Sequence, residues 1–165
     1  MDRTISLTPI GIIHTPFASL EGMPIQPGGA REILGRVELK PELTPALADL
    51  DGFSHIYLIY CFHESKGFRT TVIPYLDDTP RGLFATRAPN RPNPIGMSVV
   101  ELVSVAANIV IVRGIDVLDG TPLLDIKPYA PAFDAPEGLV RSGWMEGKKS
   151  VVAKTRSDDR FVPAK

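Results

Sequence analysis

Arg87-Ala-Pro-Asn-Arg-Pro-Asn-Pro-Ile-Gly96 is the segment whose residue types most clearly suggest chemistry. Its three prolines fix three φ angles and push the residue before each one into an extended conformation. The stiffened stretch carries Arg87, Asn90, Arg91 and Asn93, all of them hydrogen-bonding side chains. Part of the entropy of ordering these groups is already spent in the unbound chain. Guanidinium groups held this way suit a carboxylate or phosphate, which they meet through paired, charge-assisted bonds. The segment reads either as a ligand-gripping loop or as a Pro-rich connector.

A second candidate begins at the Asp119-Gly120 turn and runs through Thr121-Pro-Leu-Leu-Asp-Ile-Lys-Pro-Tyr129. On a strand, alternate side chains share a face, so Asp125, Lys127 and Tyr129 line up opposite Leu124, Ile126 and Pro128. Such a stripe is either a salt-bridged solvent face or part of a site. His63-Glu64 follows the most apolar run of the chain, where polar residues emerge at a strand end as base, hydrogen-bonding group or plain cap. Gln26-Pro-Gly-Gly29 offers backbone donors in a Gly/Pro-rich loop. No Rossmann fingerprint, Walker loop, GxSxG elbow or HExxH occurs. Three histidines and the single Cys61 lack metal-ligand spacing, which predicts no metal site, and Cys61 reads as a structural thiol.

The elements that must position these groups are mostly strands. Leu7 to Ile13 and Ile33 to Leu39 read as strands, with a long Gly/Pro-rich loop over 14–32 between them. Pro41 to Leu50 has apolar residues at helical spacing and reads as a short helix. Phe53 to Phe62 reads as a central strand buried on both faces, and Leu83 to Thr86 as a short strand feeding the Pro-rich segment. Met97 to Val105 and Ile109 to Val117 form a hairpin around Ala106-Ala-Asn108, and Leu123 to Tyr129 closes the series. About seven strands with one or two short helices predict a mainly β fold, a small antiparallel barrel.

Composition sets the outer limits. The chain has 165 residues, 44% hydrophobic and 22% charged, with a net charge of −1. That is the profile of an ordinary globular domain and argues against indiscriminate nucleic-acid binding. Seven of the 18 Lys/Arg but only three of the 19 Asp/Glu fall in 141–165, so residues 1–140 read as the barrel domain and 141–165 as a basic extension. The start Met1-Asp2-Arg3 lacks a signal-peptide pattern and no long apolar run occurs, which predicts a cytoplasmic protein off the membrane.

Phe84-Ala-Thr-Arg-Ala-Pro-Asn-Arg-Pro-Asn-Pro-Ile-Gly-Met-Ser98 and Asp116-Val-Leu-Asp-Gly-Thr-Pro-Leu-Leu-Asp-Ile-Lys-Pro-Tyr129 together resemble the TsaA-like family. The opening Pro9 to Pro16, the Gln26-Pro-Gly28 loop and the Phe53 to His63 strand fit in the same order, over roughly residues 7–135. The resemblance implies a non-Rossmann barrel that binds S-adenosylmethionine (SAM), pairs as a homodimer and methylates N6-threonylcarbamoyladenosine beside the anticodon of tRNA. Longer members continue into a further C-terminal domain. The implied cofactor contacts are Gln26, Pro27, Gly28, His63, Glu64 (where members often carry Gln), Arg87, Leu118, Asp119, Gly120 and Thr121. Within that frame Arg87 pairs with the cofactor carboxylate and turn 118–121 reads the adenine edge. Asp125 and Tyr129 accept or relay the proton, Lys127 keeps the carboxylate ionised or meets phosphate, and Arg91 and Asn93 orient the modified base or its threonyl carboxylate. Two other functions fit the same motifs: a methyltransferase of a small metabolite, and a SAM-binding sensor that transfers nothing.

Overall fold

Val/Ile-rich strands with side chains alternating in and out pair edge to edge until the sheet closes on itself. In the computed structural model, which describes residues 3–162, the strands are β1 (Gly11–His14), β2 (Leu34–Leu39), β3 (His55–Cys61), β4 (Thr71–Val72), β5 (Arg81–Gly82), β6 (Ile95–Ala106), β7 (Ile109–Arg113) and β8 (Thr121–Pro128). Six of them form a closed barrel in the order β1-β2-β7-β6-β3-β8, every pair antiparallel. β4 and β5 make a separate two-stranded ribbon. Two four-residue helices follow, α1 (Pro131–Asp134) and α2 (Lys149–Val152). Among the described residues no helix is long and apolar enough to cross a membrane.

The barrel is filled by its inward residues, including Ile13, Val37, Ile56, Leu58, Val100, Val110, Val112, Ile115 and Leu123, each at most 1% exposed. β3 shows the alternation plainly. Ile56, Leu58 and Tyr60 are buried, while Tyr57 and Ile59 are half-buried on the outer face. The expectation that this strand is covered on both faces is therefore corrected to one.

Three other expectations change. Pro41–Leu47 and Leu50–Gly52 are 3-10 turns, not an α-helix, because Pro45 lacks the amide an α-turn would use and Asp49 sits at φ +64°. Leu83–Ala85 is also a 3-10 turn, closed by the Thr86 amide and hydroxyl on the Leu83 carbonyl. The first ladder starts at Gly11, later than the Leu7 expected.

A second, small core lies beside the barrel: Val72, Leu83, Ala88 and Phe161, with Tyr75 against them. It joins the ribbon segment 71–88 to the C-terminal extension. Extension residues 141–161 fold back over the barrel flank. Ser157 exchanges bonds with Met23 and Leu20, and Pro24 and Arg156 form an isolated β-bridge.

Candidate functional site

Between the barrel flank, the 20–31 loop, the 74–91 segment and the extension lies a cleft of about 830 Å3. That falls within the roughly 300–1,000 Å3 of small-molecule sites. Its floor is Tyr60, Phe62, Asp116 and Val117, and its walls carry Arg31, Arg87, Arg91, Arg141, Lys148 and Lys149 against the two acids Glu64 and Asp116.

The Pro-rich segment reaches the cleft because its ends are tied down. Arg91 Nη1 donates back to the carbonyls of Thr86 (3.0 Å) and Ala88 (3.3 Å), and its guanidinium stacks over the Phe84 ring. Ser65 Oγ bonds the Pro89 carbonyl and Asn90 Oδ1, fixing the loop to the end of β3. Arg87 then stands free enough to cross the cleft, where its Nη1 donates to Gln26 Oε1 at 3.1 Å. That single bond links two segments 61 residues apart. Arg91 is thus chiefly a brace, its charge partly spent on its own loop.

The 118–121 turn borders the same space, with Leu118 and Thr121 in the lining. Gly120 takes φ +77°, which favours glycine there. The turn amides are largely committed. Asp119 N bonds the Phe17 carbonyl, Gly120 N the Ile13 carbonyl and Thr121 N the Leu118 carbonyl. The Asp119 carboxylate accepts from Thr15 N at 3.0 Å and lies 3.5 Å from His14 Nδ1. Asp119 and Gly120 therefore shape the turn from behind, and only the Leu118 and Thr121 ends of it face the cleft.

Gln26, Gly28, His63, Glu64 and Arg87 line the cleft as well, whereas Pro27 and Asn93 do not. His63 Nε2 lies 3.7 Å from Glu64 Oε1. The Asp125, Lys127 and Tyr129 group is outside it. A bulge in β8 pairs Tyr60 with Leu123 and Ile59 with Asp125, leaving Leu124 as the extra residue. Leu123 points into the barrel, and past the bulge Asp125 and Lys127 point outward. There Lys127 Nζ is 2.9 Å from Asp125 Oδ2, both side chains well exposed, and Tyr129 packs edge-on against Tyr57. The expected proton acceptors thus make the salt-bridged outer face instead of a cleft wall.

Two contributors were missed in the sequence. The first is Asp116, a lone carboxyl between Ile115 and Val117, itself a warning sign in an apolar run. Ser98 Oγ donates to Asp116 Oδ1 at 2.7 Å, and the Tyr60 hydroxyl meets Ser98 Oγ at 3.0 Å. The residue is half-buried, with part of its surface reaching the cleft and its Oδ1 held by Ser98. Burial pushes it up to about 6, against the opposing pull of the Ser98 bond and the Arg87 charge. Burial also raises the Tyr60 phenol far above its usual range. The second is the extension, whose Trp144 donates its indole N–H to the Ala85 carbonyl at 2.8 Å and has Arg81 and Lys148 over its ring, 5.6 and 5.3 Å from the centroid.

Similarity to known proteins covers most of the chain. The family model for the tRNA-methyltransferase O N-terminal domain matches residues 12–135. A probable S-adenosyl-L-methionine-binding protein of Pyrococcus abyssi is 52% identical over 157 residues, 95% of this chain and 85% of that one. The tRNA (adenine(37)-N6)-methyltransferase of Mus musculus is 33% identical over 138 residues, 79% of this chain but 32% of the mouse protein. The crystal structure of TrmO from Pseudomonas aeruginosa superposes with a TM-score of 0.72 at 40% identity, covering 86% of this chain and 63% of that one. The chain therefore spans about a third of the mouse protein and under two thirds of the Pseudomonas chain.

Proposed function

Because this chain belongs to the tRNA-methyltransferase O family through that family's N-terminal domain, we propose that it binds SAM in the cleft and methylates N6 of an adenosine in tRNA. The finer reading is that the acceptor is N6-threonylcarbamoyladenosine beside the anticodon. The observation that carries the reading is the meeting of the Arg87 segment, the Gln26 loop and the Leu118–Thr121 turn around one space.

The residues present fit the cofactor. Arg87 uses one guanidinium nitrogen on Gln26 and keeps others for a carboxylate. Tyr60, Phe62, Val117 and Leu118 offer apolar surface to an adenine, with the Gln26–Gly28 loop and the His63–Glu64 corner around it. SAM supplies an activated methyl group, so the chain's share of the work is alignment, which is the large term in a displacement between two bound partners. Arg141, Lys148 and Lys149 add positive charge to the cleft walls, as a polyanionic substrate requires.

A homodimer belongs to the same reading. Ile95 (41% exposed) and Met97 (50%) leave apolar surface on β6 at the cleft edge, beside the half-buried Tyr57 and Ile59 of β3. A second copy seated there would cover them and border both clefts; sedimentation of the purified protein tests this. A tRNA substrate also makes the cytoplasm the site of action.

The test of function is direct. SAM and S-adenosylhomocysteine are titrated calorimetrically, and labelled SAM is incubated with tRNA from cells with and without the native gene, followed by nucleoside mass analysis. Expected is uptake of both ligands and a methylated threonylcarbamoyl nucleoside. Absence of SAM uptake refutes the reading. Uptake with label reaching no RNA fraction moves the function to a small-metabolite acceptor or to a sensor.

A further inference from the structure

Deepening the methyltransferase reading, on which it rests, we propose that Asp116 is the proton acceptor of the reaction, taking the N6 proton of the adenosine on its Oδ2. In the balanced step the new N6–carbon bond forms as the carbon–sulfur bond of SAM breaks. The bonding pair stays on sulfur, the N6 proton moves to the carboxylate, and from there it leaves to water through the cleft.

Geometry singles this residue out. Of the two acids lining the cleft, Glu64 is half exposed and stands beside His63, whereas Asp116 is set into the floor. Its Oδ1 is held by Ser98, and Ser98 is in turn bonded to the Tyr60 hydroxyl. With Ser98 donating its hydroxyl proton toward Asp116, the Tyr60 hydroxyl is left to donate to Ser98, so the donor chain ends at the carboxylate and fixes its plane. Among the described residues Ser98 is the one side chain bonded to the carboxylate, through Oδ1, while the backbone amide of Asp116 itself also pulls on the carboxyl. The side chains therefore leave Oδ2 for the ligand.

The groups acting on it come from three elements: Tyr60 of β3, Ser98 of β6 and Arg87 of the Pro-rich segment. The other titratable or charged groups lining the cleft are His63, Glu64, Tyr75, Arg31, Arg91, Arg141, Lys148 and Lys149. Burial raises the carboxyl to about 6, with Ser98 and Arg87 pulling the other way. A base poised just below neutrality is mostly ionised at pH 7 yet more basic than an exposed aspartate, which favours proton removal.

The experiment has a readout apart from turnover. The Asp116 carboxyl is titrated by carbon NMR in the protein without added ligand, wild type and Ser98→Ala. Single-turnover methyl transfer to tRNA is followed against pH in both, and in Asp116→Asn, with S-adenosylhomocysteine affinity measured for each. Expected are a wild-type midpoint near 6 and a rate that falls below that pH. Ser98→Ala, having lost a donor to the carboxylate, should move the midpoint and the acidic limb upward together. Asp116→Asn should lower the rate by about 10²–10⁴-fold while S-adenosylhomocysteine affinity changes less than about threefold.

Full turnover by Asp116→Asn overturns the proposal. So does a variant that loses cofactor affinity but keeps its rate at saturation, since Asp116 would then be a counter-charge to the cofactor. Should Asp116→Asn fail to fold, an acidic limb that stays fixed while the Ser98→Ala midpoint moves is equally fatal. Wild-type protein with no S-adenosylhomocysteine affinity is a different failure, of the methyltransferase reading itself, and is scored first.

Discussion

Gly96→Ala places one methyl group where the fold has no room. Gly96 pairs with Tyr60 across the β3–β6 ladder, and a Cβ there would overlap the Tyr60 ring and press on the Phe62 ring. Neither ring has an easy retreat. Tyr60 is 4% exposed, bonded to Ser98, and packed edge-on against Phe62 with centroids 5.4 Å apart. Overpacking of this kind costs about 1–3 kcal/mol. Turning Tyr60 aside also gives up its hydrogen bond, about 0.5–1.5 kcal/mol. Against this, alanine recovers about 0.5–1 kcal/mol of backbone entropy in a strand. The overlap wins, and the net loss is about 1–3 kcal/mol. Urea unfolding followed by circular dichroism measures it. Tyr60→Leu in the same chain removes the obstacle, so the double variant should lie above the sum of the singles by about 1 kcal/mol. Because Tyr60 and Gly96 both line the cleft, S-adenosylhomocysteine affinity should drop in Gly96→Ala as well. A Gly96→Ala protein within about 0.5 kcal/mol of wild type, or strict additivity of the pair, refutes the argument.

Phe161→Ala removes the extension's share of the small second core, where Phe161 packs edge-on against Tyr75 at 5.1 Å. Faster hydrogen exchange is expected in 71–88 and 141–162 with the barrel strands still protected; uniform acceleration would deny that the two cores are separable. Arg87→Gln should weaken SAM binding about 10–100-fold, the loss of one charge-assisted bond of about 1.5–3 kcal/mol, and unchanged calorimetric affinity would remove Arg87 from the site. Arg81 hydrogen bonds hold the Asp77 carboxyl down to about 2 from an ordinary 3.8. A depressed carboxyl contributes stability above its unfolded value and loses it as pH falls. Denaturation midpoints between pH 5 and 2 should therefore fall less steeply in Asp77→Asn than in wild type, and parallel curves would contradict this.

The barrel was legible because its cause is local. The nearly continuous β-branched and aromatic runs Ile56-Tyr-Leu-Ile-Tyr60 and Ile109-Val-Ile-Val112 mark strands without knowledge of the partner strand, and the β6–β7 hairpin turns at Ala107 and Asn108 as its sequence suggests. The Pro-rich segment was legible for a similar reason, since proline acts on its own φ. What was not legible depended on remote partners. The face of Asp125 is decided by the Leu124 bulge against Ile59 and Tyr60, residues more than 60 positions away. Asp116 gains its character from Ser98 and from burial, neither visible in Ile115-Asp-Val117. The extension read only as a basic stretch because its anchors are single contacts, Trp144 to Ala85, Ser157 to Met23 and Phe161 to Tyr75.

Those single anchors follow from the size of the barrel. Barrel diameter grows with strand number, and even eight strands leave an interior just wide enough for side chains or one small ligand. Here six strands enclose an interior packed with valine, leucine and isoleucine. A ligand must then bind outside the barrel, on a flank where one sheet face supplies only a floor. Walls have to come from segments with no sheet to hold them: the 20–31 loop, the braced Arg87 segment and the extension. Each is fixed by a few bonds to the others, Arg87 to Gln26, Trp144 to Ala85 and Ser157 to Met23. Loosening one wall therefore loosens the next, although the barrel beneath does not depend on them. Stability is then carried by the barrel core, while ligand affinity draws both on the barrel's floor at Tyr60 and Gly96 and on the contacts among its attachments.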